Sequence, residues 1–192
     1  MKQRVVVVAG HPDPSPTRLN YALAEAYSDG VRQSGGEVRT LRLGGMNFSP
    51  LRSADEFAME PDDDFIQQAR QDILWADHLA LFFPLWLGSA PALVRAFFEQ
   101  VARGGFVADI AATGWAPRLR GKSARIVATM GMPAFIYRSV FGAHGVQSWK
   151  KSVLGFAGVS PVRVTLLGAI GAVDQAEIRR RIDRVRALGR SE

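Results

Sequence analysis

The amino-acid sequence predicts an α/β protein built on a doubly wound, five-stranded parallel sheet with helices on both faces. Three observations support this prediction: five apolar runs typical of buried strands, segments of helical apolar spacing between them, and no repeat or linker in the 192 residues. Strands that alternate with helices favour a parallel sheet, because each crossover helix returns the chain to the same end of the sheet. A chain of this length is typical of one domain of about 100–200 residues, and we expect a single domain over 1–192.

The predicted elements follow each other in a regular order. The run from Arg4 to Ala9 is rich in valine, which suits a central strand covered on both faces. Apolar residues recur at helical spacing from Leu19 to Val31, and Ser15-Pro16 ahead of them suggests an N-cap followed by proline at the first helical position. The later strands are predicted at 37–43, 79–83, 123–130 and 162–167, and the later helices at 62–75, 91–101 and about 147–156.

A final helix is predicted after Asp174, where Glu177 three residues later completes a capping-box pattern.

The chain has a net charge of +6, and its second half is the basic one, which can favour nucleic acid, a membrane surface or a phosphorylated small molecule as a partner. The final helix has an apolar stripe and no aromatic residues between its arginines, so we interpret these as a solvated face and expect no nucleic-acid partner. The arginines are Arg179, Arg180, Arg181, Arg184 and Arg186.

The composition excludes several classes of protein. There are no cysteines, which excludes a disulfide scaffold, a thiolate nucleophile and thiolate metal sites. The three histidines are far apart in the sequence, so we expect no metal site. The longest uncharged run, 79–94, is short and interrupted by prolines, whereas a membrane span needs about 20 apolar residues. The first apolar stretch ends at His11-Pro12, which argues against a secretory signal, and we expect a cytoplasmic protein.

Three loops are candidates for a functional site, because ligands of doubly wound sheets bind at the carboxyl ends of the strands. The loop after residue 9 contains neither a G-x-G-x-x-G nor a G-x-x-x-x-G-K pattern. It offers hydroxyls, a cation and an amide before a helix N-terminus, which can form a phosphate cradle, although such residues also cap ordinary helices. These residues are Ser15, Thr17, Arg18 and Asn20.

The other two loops follow residues 83 and 130. The loop from Phe83 to Pro91 is uncharged and contains Trp86, so it can line a flat apolar ring site, unless Trp86 simply packs in the core. The loop after residue 130 contains one tyrosine, Tyr137, and one histidine, His144. Each of them can serve in the site, and for each the alternative interpretation is a packing role.

Together the three loops resemble the flavodoxin-like NAD(P)H:quinone oxidoreductase family, which includes the modulator-of-drug-activity proteins and ancillary subunits of glutathione-gated potassium efflux systems. The resemblance spans residue 4 to about residue 188, and the matching elements occur in the expected order. They are Gly10-His11-Pro12 with Asn20, Phe83-Pro84-Leu85-Trp86 with Pro91-Ala92-Leu93, Thr129-x-Gly131 with Tyr137 and Gly142-x-His144-Gly145, and Gly155-Phe156-x-Gly158. The resemblance implies the strand order 2-1-3-4-5 and a flavin at the carboxyl edge.

The family's functional residues map onto this chain position by position. The resemblance implies that the flavin phosphate and ribityl end are held by His11, Thr17, Leu19 and Asn20. It implies that the isoalloxazine lies against Pro84, Leu85, Trp86 and Leu87. Its pyrimidine edge is implied to contact Thr129, Met130 and Gly131. Tyr137 and His144 match the pair that stabilises charge on the flavin and assists proton transfer. The chain departs from the family pattern in three places. An aromatic residue is common where this chain has Leu87-Gly88, and the loop that usually reads Thr-Thr-Gly-Gly has Met130 and Met132 here. One extra residue also separates Tyr137 from His144.

The resemblance therefore implies a flavin-dependent NAD(P)H dehydrogenase that reduces quinone-like acceptors by two electrons with ping-pong kinetics. Because the chain is short after the last predicted helix, we expect FMN, with FAD as the alternative, and NADPH or NADH as co-substrate. Family members are dimers with the site at the subunit boundary, which implies a homodimer. Two alternatives stay open: a regulatory flavoprotein subunit of a potassium efflux transporter, and a flavodoxin-type electron carrier, against which the basic charge argues.

Overall fold

The computed structural model describes residues 2–111 and 114–192. The strands are β1 (Arg4–Ala9), β2 (Glu37–Arg42), β3 (His78–Pro84), β4 (Ala108–Ala111), β5 (Gly114–Pro117), β6 (Ser123–Thr129) and β7 (Val162–Leu167). The α-helices are α1 (Leu19–Gln33), α2 (Ala54–Ala58), α3 (Asp64–Trp75), α4 (Ala92–Ala102), α5 (Ala134–Ser139), α6 (His144–Ser148) and α7 (Gln175–Arg190). A π-helix at Trp149–Gly155 continues α6, and short 3₁₀ turns lie at Arg103–Gly105 and Ile170–Ala172.

Five strands form an all-parallel sheet in the order β2-β1-β3-β6-β7, which confirms the predicted order 2-1-3-4-5. The central strands are buried along almost their whole length, as expected of apolar strands covered on both faces. Because the strands are parallel, the carboxyl ends of β1, β3 and β6 lie side by side at one edge of the sheet.

The sheet has an apolar core on each face, so the prediction of helices on both faces is also confirmed. Val5 and Val7 of β1 point to one side, where they pack with residues of α1 and α7. Val6 and Val8 point to the other side, where they pack with residues of α3, α4 and the π-helix. The alternation follows from the two-residue period of a strand. No helix among the described residues is both long enough and apolar enough to cross a membrane.

Three local features differ from the sequence-based expectations. Ser15 does not cap α1: the helix begins at Leu19, and the Ser15 hydroxyl instead contacts the Thr17 hydroxyl at 2.9 Å. The helix expected at about 147–156 begins at His144 and becomes a π-helix. The short helices α2 and α5 and the antiparallel pair β4–β5 were not predicted, because none of them contains an apolar run long enough to show a period.

The predicted cap at the last helix is confirmed, because the Asp174 side chain accepts a hydrogen bond from the Glu177 backbone N–H at 2.7 Å. The second half of a capping box is missing, since the Glu177 carboxylate binds Arg180 and Arg181 instead. The arginines of α7 are mostly exposed, in agreement with a solvated face.

A polar cluster lies at the opposite, amino-terminal edge of the sheet, below β3. The His78 ring is fully buried and bonds Tyr27 Oη at 3.0 Å through Nε2 and Ser123 Oγ at 2.7 Å through Nδ1. The Glu192 carboxylate, 1% exposed, binds the guanidinium groups of Arg125 and Arg163 beside this ring. Burial lowers the pKa of His78 to about 4, although the nearby carboxylate acts in the opposite direction.

This buried histidine predicts a loss of stability in mild acid. The pKa of His78 is lower in the folded protein than its ordinary value of 6.5, so the unfolded chain binds more protons between pH 6.5 and about 4. The free energy of unfolding should therefore fall by about 2 kcal/mol from pH 7 to pH 5 on account of this residue. Urea denaturation at the two pH values measures the loss. A His78→Gln variant serves as control, and an equal loss in that variant would assign the effect to other groups.

Candidate active site

Three loops meet at the carboxyl edge of the sheet, as the sequence predicts. The Leu85 N–H donates to the Thr129 carbonyl at 2.7 Å, which joins the loop after β3 to the end of β6. The Thr129 hydroxyl donates to Asn20 Oδ1 at 3.1 Å, which joins β6 to the first turn of α1. The rings of His11 and Trp86 meet edge to face with 6.0 Å between centroids. Residues from all three predicted segments therefore surround one region.

The loop from β1 to α1 is arranged around Asp13. Its carboxylate accepts from the Ser15 N–H at 2.8 Å and binds the Arg18 guanidinium, and these contacts lower the pKa of Asp13. The His11 Nδ1 accepts from the Asp13 N–H at 3.1 Å, and partial burial lowers the pKa of His11. A neutral His11 whose Nδ1 is an acceptor carries its proton on Nε2. His11 can therefore donate a hydrogen bond to a ligand at this edge.

The start of α1 has two features of an anion site. No side chain of the described residues caps the helix, so the positive end of its dipole remains available, although the Tyr21 N–H donates to the Arg18 carbonyl at 2.9 Å. Asn20, in the first turn, is only 3% exposed, and its Nδ2 is a buried amide nitrogen without a hydrogen-bond partner among the described residues. A buried unpaired donor is costly, and it points to a ligand acceptor that completes the bonding.

The loop after β3 forms a tight turn. Trp86 and Ser89 exchange backbone hydrogen bonds of 2.9 and 3.1 Å, and the central residues Leu87 and Gly88 have φ values of 49° and 79°. Two positive φ values in succession define a type I′ turn. Trp86 is half-exposed and the Leu87 side chain is fully exposed, so the alternative that Trp86 packs in the core is wrong. Pro84 and Leu85 are half-buried beneath the turn.

Tyr137 fastens this turn to the loop after β6. The side chain is 2% exposed, and its hydroxyl donates to the Gly88 carbonyl at 2.7 Å and accepts from the Val146 N–H at 3.2 Å. Gly145 allows this close approach, because a Cβ there would lie 2.0 Å from the Gly88 oxygen. Burial raises the pKa of Tyr137, so the hydroxyl stays protonated at neutral pH.

His144 stands at the exposed start of α6. The two residues before it, Gly142 and Ala143, both have positive φ values, 59° and 49°. The His144 ring lies over Gly142, where an added Cβ would come within 2.6 Å of Nε2.

The residues at the end of β6 differ in how open they are. Thr129 and Met130 are buried, and the Met130 N–H donates to the Leu167 carbonyl of β7 at 2.9 Å. Gly131 is exposed, and no atom lies within 4 Å of the position of an added Cβ. Thr17 is exposed and Leu19 is half-buried at the entrance to α1. Contact between a ligand and this segment is thus expected at Gly131 and at backbone groups rather than at the Met130 side chain.

The arrangement fits a planar cofactor that carries a phosphate. The open helix start, His11 and the Asn20 amide provide donors for an anion, while Trp86 and Gly131 border open space beside the sheet edge. Groups of three or more His, Asp or Glu side chains suited to a metal ion do not occur in 2–111 and 114–192. The sequence predicted that residues of these three loops lie together, but it did not predict the hydrogen bonds of Tyr137, which follow from a turn geometry that the residue types alone do not specify.

Comparisons with known proteins agree with the fold. A family model described as "Flavodoxin-like fold" matches residues 3–188. NAD(P)H dehydrogenase (quinone) 1 of Rattus norvegicus is 29% identical over 194 residues, which cover 88% of this chain and 70% of that protein. FMN-dependent NAD(P)H:quinone oxidoreductase 1 of Pseudomonas aeruginosa is 30% identical over 122 residues, covering 61% of this chain and 58% of its own. The solved NAD(P)H:quinone oxidoreductase from Methanothermobacter marburgensis superposes with a TM-score of 0.81 at 22% identity, covering 99% and 98% of the two chains.

Proposed function

Since the chain belongs to the family with a flavodoxin-like fold, whose model matches residues 3–188, we propose that it is an FMN-dependent NAD(P)H oxidoreductase that reduces quinones. The similar proteins that carry this activity in their names support the proposal. The structural observation that carries it is the buried, unpaired Asn20 amide beside the open start of α1. A phosphate bound there would accept from that amide and from the helix N–H groups.

The residues of the site would hold FMN in a definite order. The phosphate and ribityl end would be surrounded by His11, Thr17, Leu19 and Asn20. The ring system would lie against Pro84, Leu85, Trp86 and Leu87. Its polar edge would be bordered by Thr129, Met130 and Gly131. When bound, FMN supplies the redox chemistry, taking two electrons from NADPH or NADH and delivering them to a quinone.

The chain's own groups position the cofactor and supply protons. The Tyr137 hydroxyl holds the Leu87–Gly88 turn at a fixed distance from α6, which keeps the wall of the ring site rigid. His144 is exposed at the start of α6, directly before Gly145, which approaches this turn, so we assign it the exchange of a proton with solvent.

The direct test is the absorption spectrum of the purified protein after incubation with FMN and removal of free cofactor. We expect retained visible absorption, bleaching by NADPH or NADH, and recovery of the oxidised spectrum when benzoquinone is added. A protein that retains no flavin contradicts the proposal. A protein that retains flavin but turns over no quinone would favour a regulatory flavoprotein subunit. The similar proteins named above favour the enzyme over both a regulatory subunit and an electron carrier.

Replacing Tyr137 by phenylalanine should slow flavin reduction without loss of FMN. The variant loses the hydrogen bonds to Gly88 and Val146 but keeps the ring that fills the site, so we expect a roughly tenfold decrease, below the 10²–10³ of the strongest single-donor losses. Stopped-flow reduction by NADPH measures the rate. Tyr27→Phe, which removes a buried hydroxyl at the opposite edge of the sheet, is the matched control. Equal rates in both variants would leave Tyr137 with a packing role only.

We extend the proposal to one domain over 1–192, a homodimer and a cytoplasmic location, where NADPH and NADH are available. The homodimer draws support from an apolar cavity of about 690 Å³ between α2, α4 and the π-helix. Beside this cavity, the half-exposed rings of Trp115 and Phe156 stack at 5.4 Å, which is typical of a surface that another chain covers. Light scattering of the FMN-bound protein determines the oligomeric state.

A further inference from the structure

A second apolar surface lies at the mouth of the site, on the side of α5. Four exposed apolar side chains lie on the two segments that meet there, and we call them the lip: Leu87, Phe135, Val140 and Phe141. All four are between 52% and 107% exposed, although large apolar residues are usually buried. The lip therefore exposes apolar area that the fold itself does not use.

The two segments that carry the lip are held together. Leu87 is at the tip of the turn after β3, and the other three residues lie on α5 or directly after it. The hydrogen bond from Tyr137 to the Gly88 carbonyl and the close approach of Gly145 to the same oxygen join the segments. Tyr137 faces inward, so α5 presents Phe135 outward. The apolar side chains of the lip thus lie on two segments that these contacts join to each other.

The stretch of sequence that carries Phe135, Val140 and Phe141 has charge of one sign. From 110 to 173 the sequence contains eight Lys and Arg residues and no Asp or Glu. Arg138 lies between Phe135 and Val140 and is exposed. Arg138, Lys150 and Lys151 form no ion pair with any described residue.

Exposed apolar side chains among unpaired cations are the combination that anionic lipid surfaces bind. We propose that the lip docks the protein on an anionic membrane surface, so that the site opens toward quinones dissolved in the lipid. This inference rests on the proposed quinone reductase activity for its purpose but not for its test. A short apolar rim inserts only into the headgroup region.

The test is flotation of the FMN-bound protein with vesicles of phosphatidylcholine alone or mixed with phosphatidylglycerol. We expect binding to the mixed vesicles only, and a decrease as salt is raised. The double variant Val140→Ser with Phe141→Ser should bind roughly tenfold more weakly because it buries less apolar area. Arg138→Gln should weaken binding roughly fivefold, the usual effect of one cation near such a surface. Met59→Ser and Arg179→Gln, which alter an exposed apolar side chain and an exposed arginine elsewhere, should bind as the unmodified protein does.

Turnover with two acceptors separates this inference from the proposed function. With a soluble benzoquinone the lip variants should keep the unmodified rate, whereas with a long-chain quinone embedded in mixed vesicles their rate should fall with their binding. Turnover of benzoquinone without any vesicle binding would overturn the docking inference and leave the proposed function intact. Unchanged binding by both lip variants would also overturn it. A dimer that the lip variants convert to monomer, with no vesicle binding by the unmodified protein, would assign the lip to a contact between copies instead.

Discussion

Replacing Asn20 by leucine is expected to lower FMN affinity by about 10- to 100-fold while leaving the cofactor-free protein at least as stable as before. A hydrogen bond to a charged group contributes about 1.5–3 kcal/mol, which sets the affinity loss. In the free protein the Nδ2 donor of Asn20 is buried without a partner, so an apolar side chain of similar size removes an unfavourable group. The variant does lose the Thr129–Asn20 hydrogen bond, which limits the gain.

Fluorescence titration with FMN measures the affinity, and thermal unfolding of the cofactor-free protein measures stability. Asn47→Leu, at an exposed asparagine in the segment after β2, is the matched control and should change neither quantity appreciably. The opposite directions of the two effects are the informative result. If Asn20→Leu destabilised the free protein and left FMN binding unchanged, Asn20 would be a structural residue and the phosphate position would have to lie elsewhere.

Replacing Glu192 by glutamine should destabilise the protein by about 3–5 kcal/mol, because the change leaves a buried guanidinium without its charge partner. Arg125 is buried, and its other side-chain contact, to the Thr165 hydroxyl at 3.3 Å, is long. For a chain of this size the loss corresponds to a decrease in melting temperature of about 6–20 °C. Thermal and urea unfolding at pH 7 measure it.

Two further variants decide how that loss is interpreted. Glu25→Gln breaks an exposed pair with Arg32 and should cost no more than about 0.5 kcal/mol. A double replacement of Glu192 and Arg125 by leucine should recover most of the stability, since apolar side chains often replace a buried ion pair without net cost. A Glu192→Gln variant as stable as Glu25→Gln would show that water reaches Arg125.

The sheet could be predicted because its information is local. The valine-rich run of β1 and the alternation of strands with helices depend on neighbouring residues, and the parallel order followed from the resemblance of three loops. The cap at Asp174 was also predictable, since it joins residues three apart. The predicted N-cap at Ser15 was wrong: α1 begins at Leu19, and the Ser15 hydroxyl contacts the Thr17 hydroxyl.

The features that escaped prediction depend on contacts between distant residues. Glu192 meets Arg125 from 67 positions away, and nothing in either neighbourhood marks the pair as buried. Tyr137 was selected as a candidate, but its two hydrogen bonds depend on the backbone path at Gly88 and Val146. The unpaired state of the Asn20 amide likewise appears only when every neighbour of α1 is in place.

The turn at Leu87 has a consequence for how the acceptor range can change over evolutionary time. Its backbone is held by the Trp86–Ser89 bonds and by Tyr137, yet the Leu87 side chain contacts almost nothing and is fully exposed. A codon change at this position alters the mouth of the site without altering the core, although β-branched residues are disfavoured at its positive φ. New acceptors can therefore be sampled one substitution at a time, with the folded core shielded from the change.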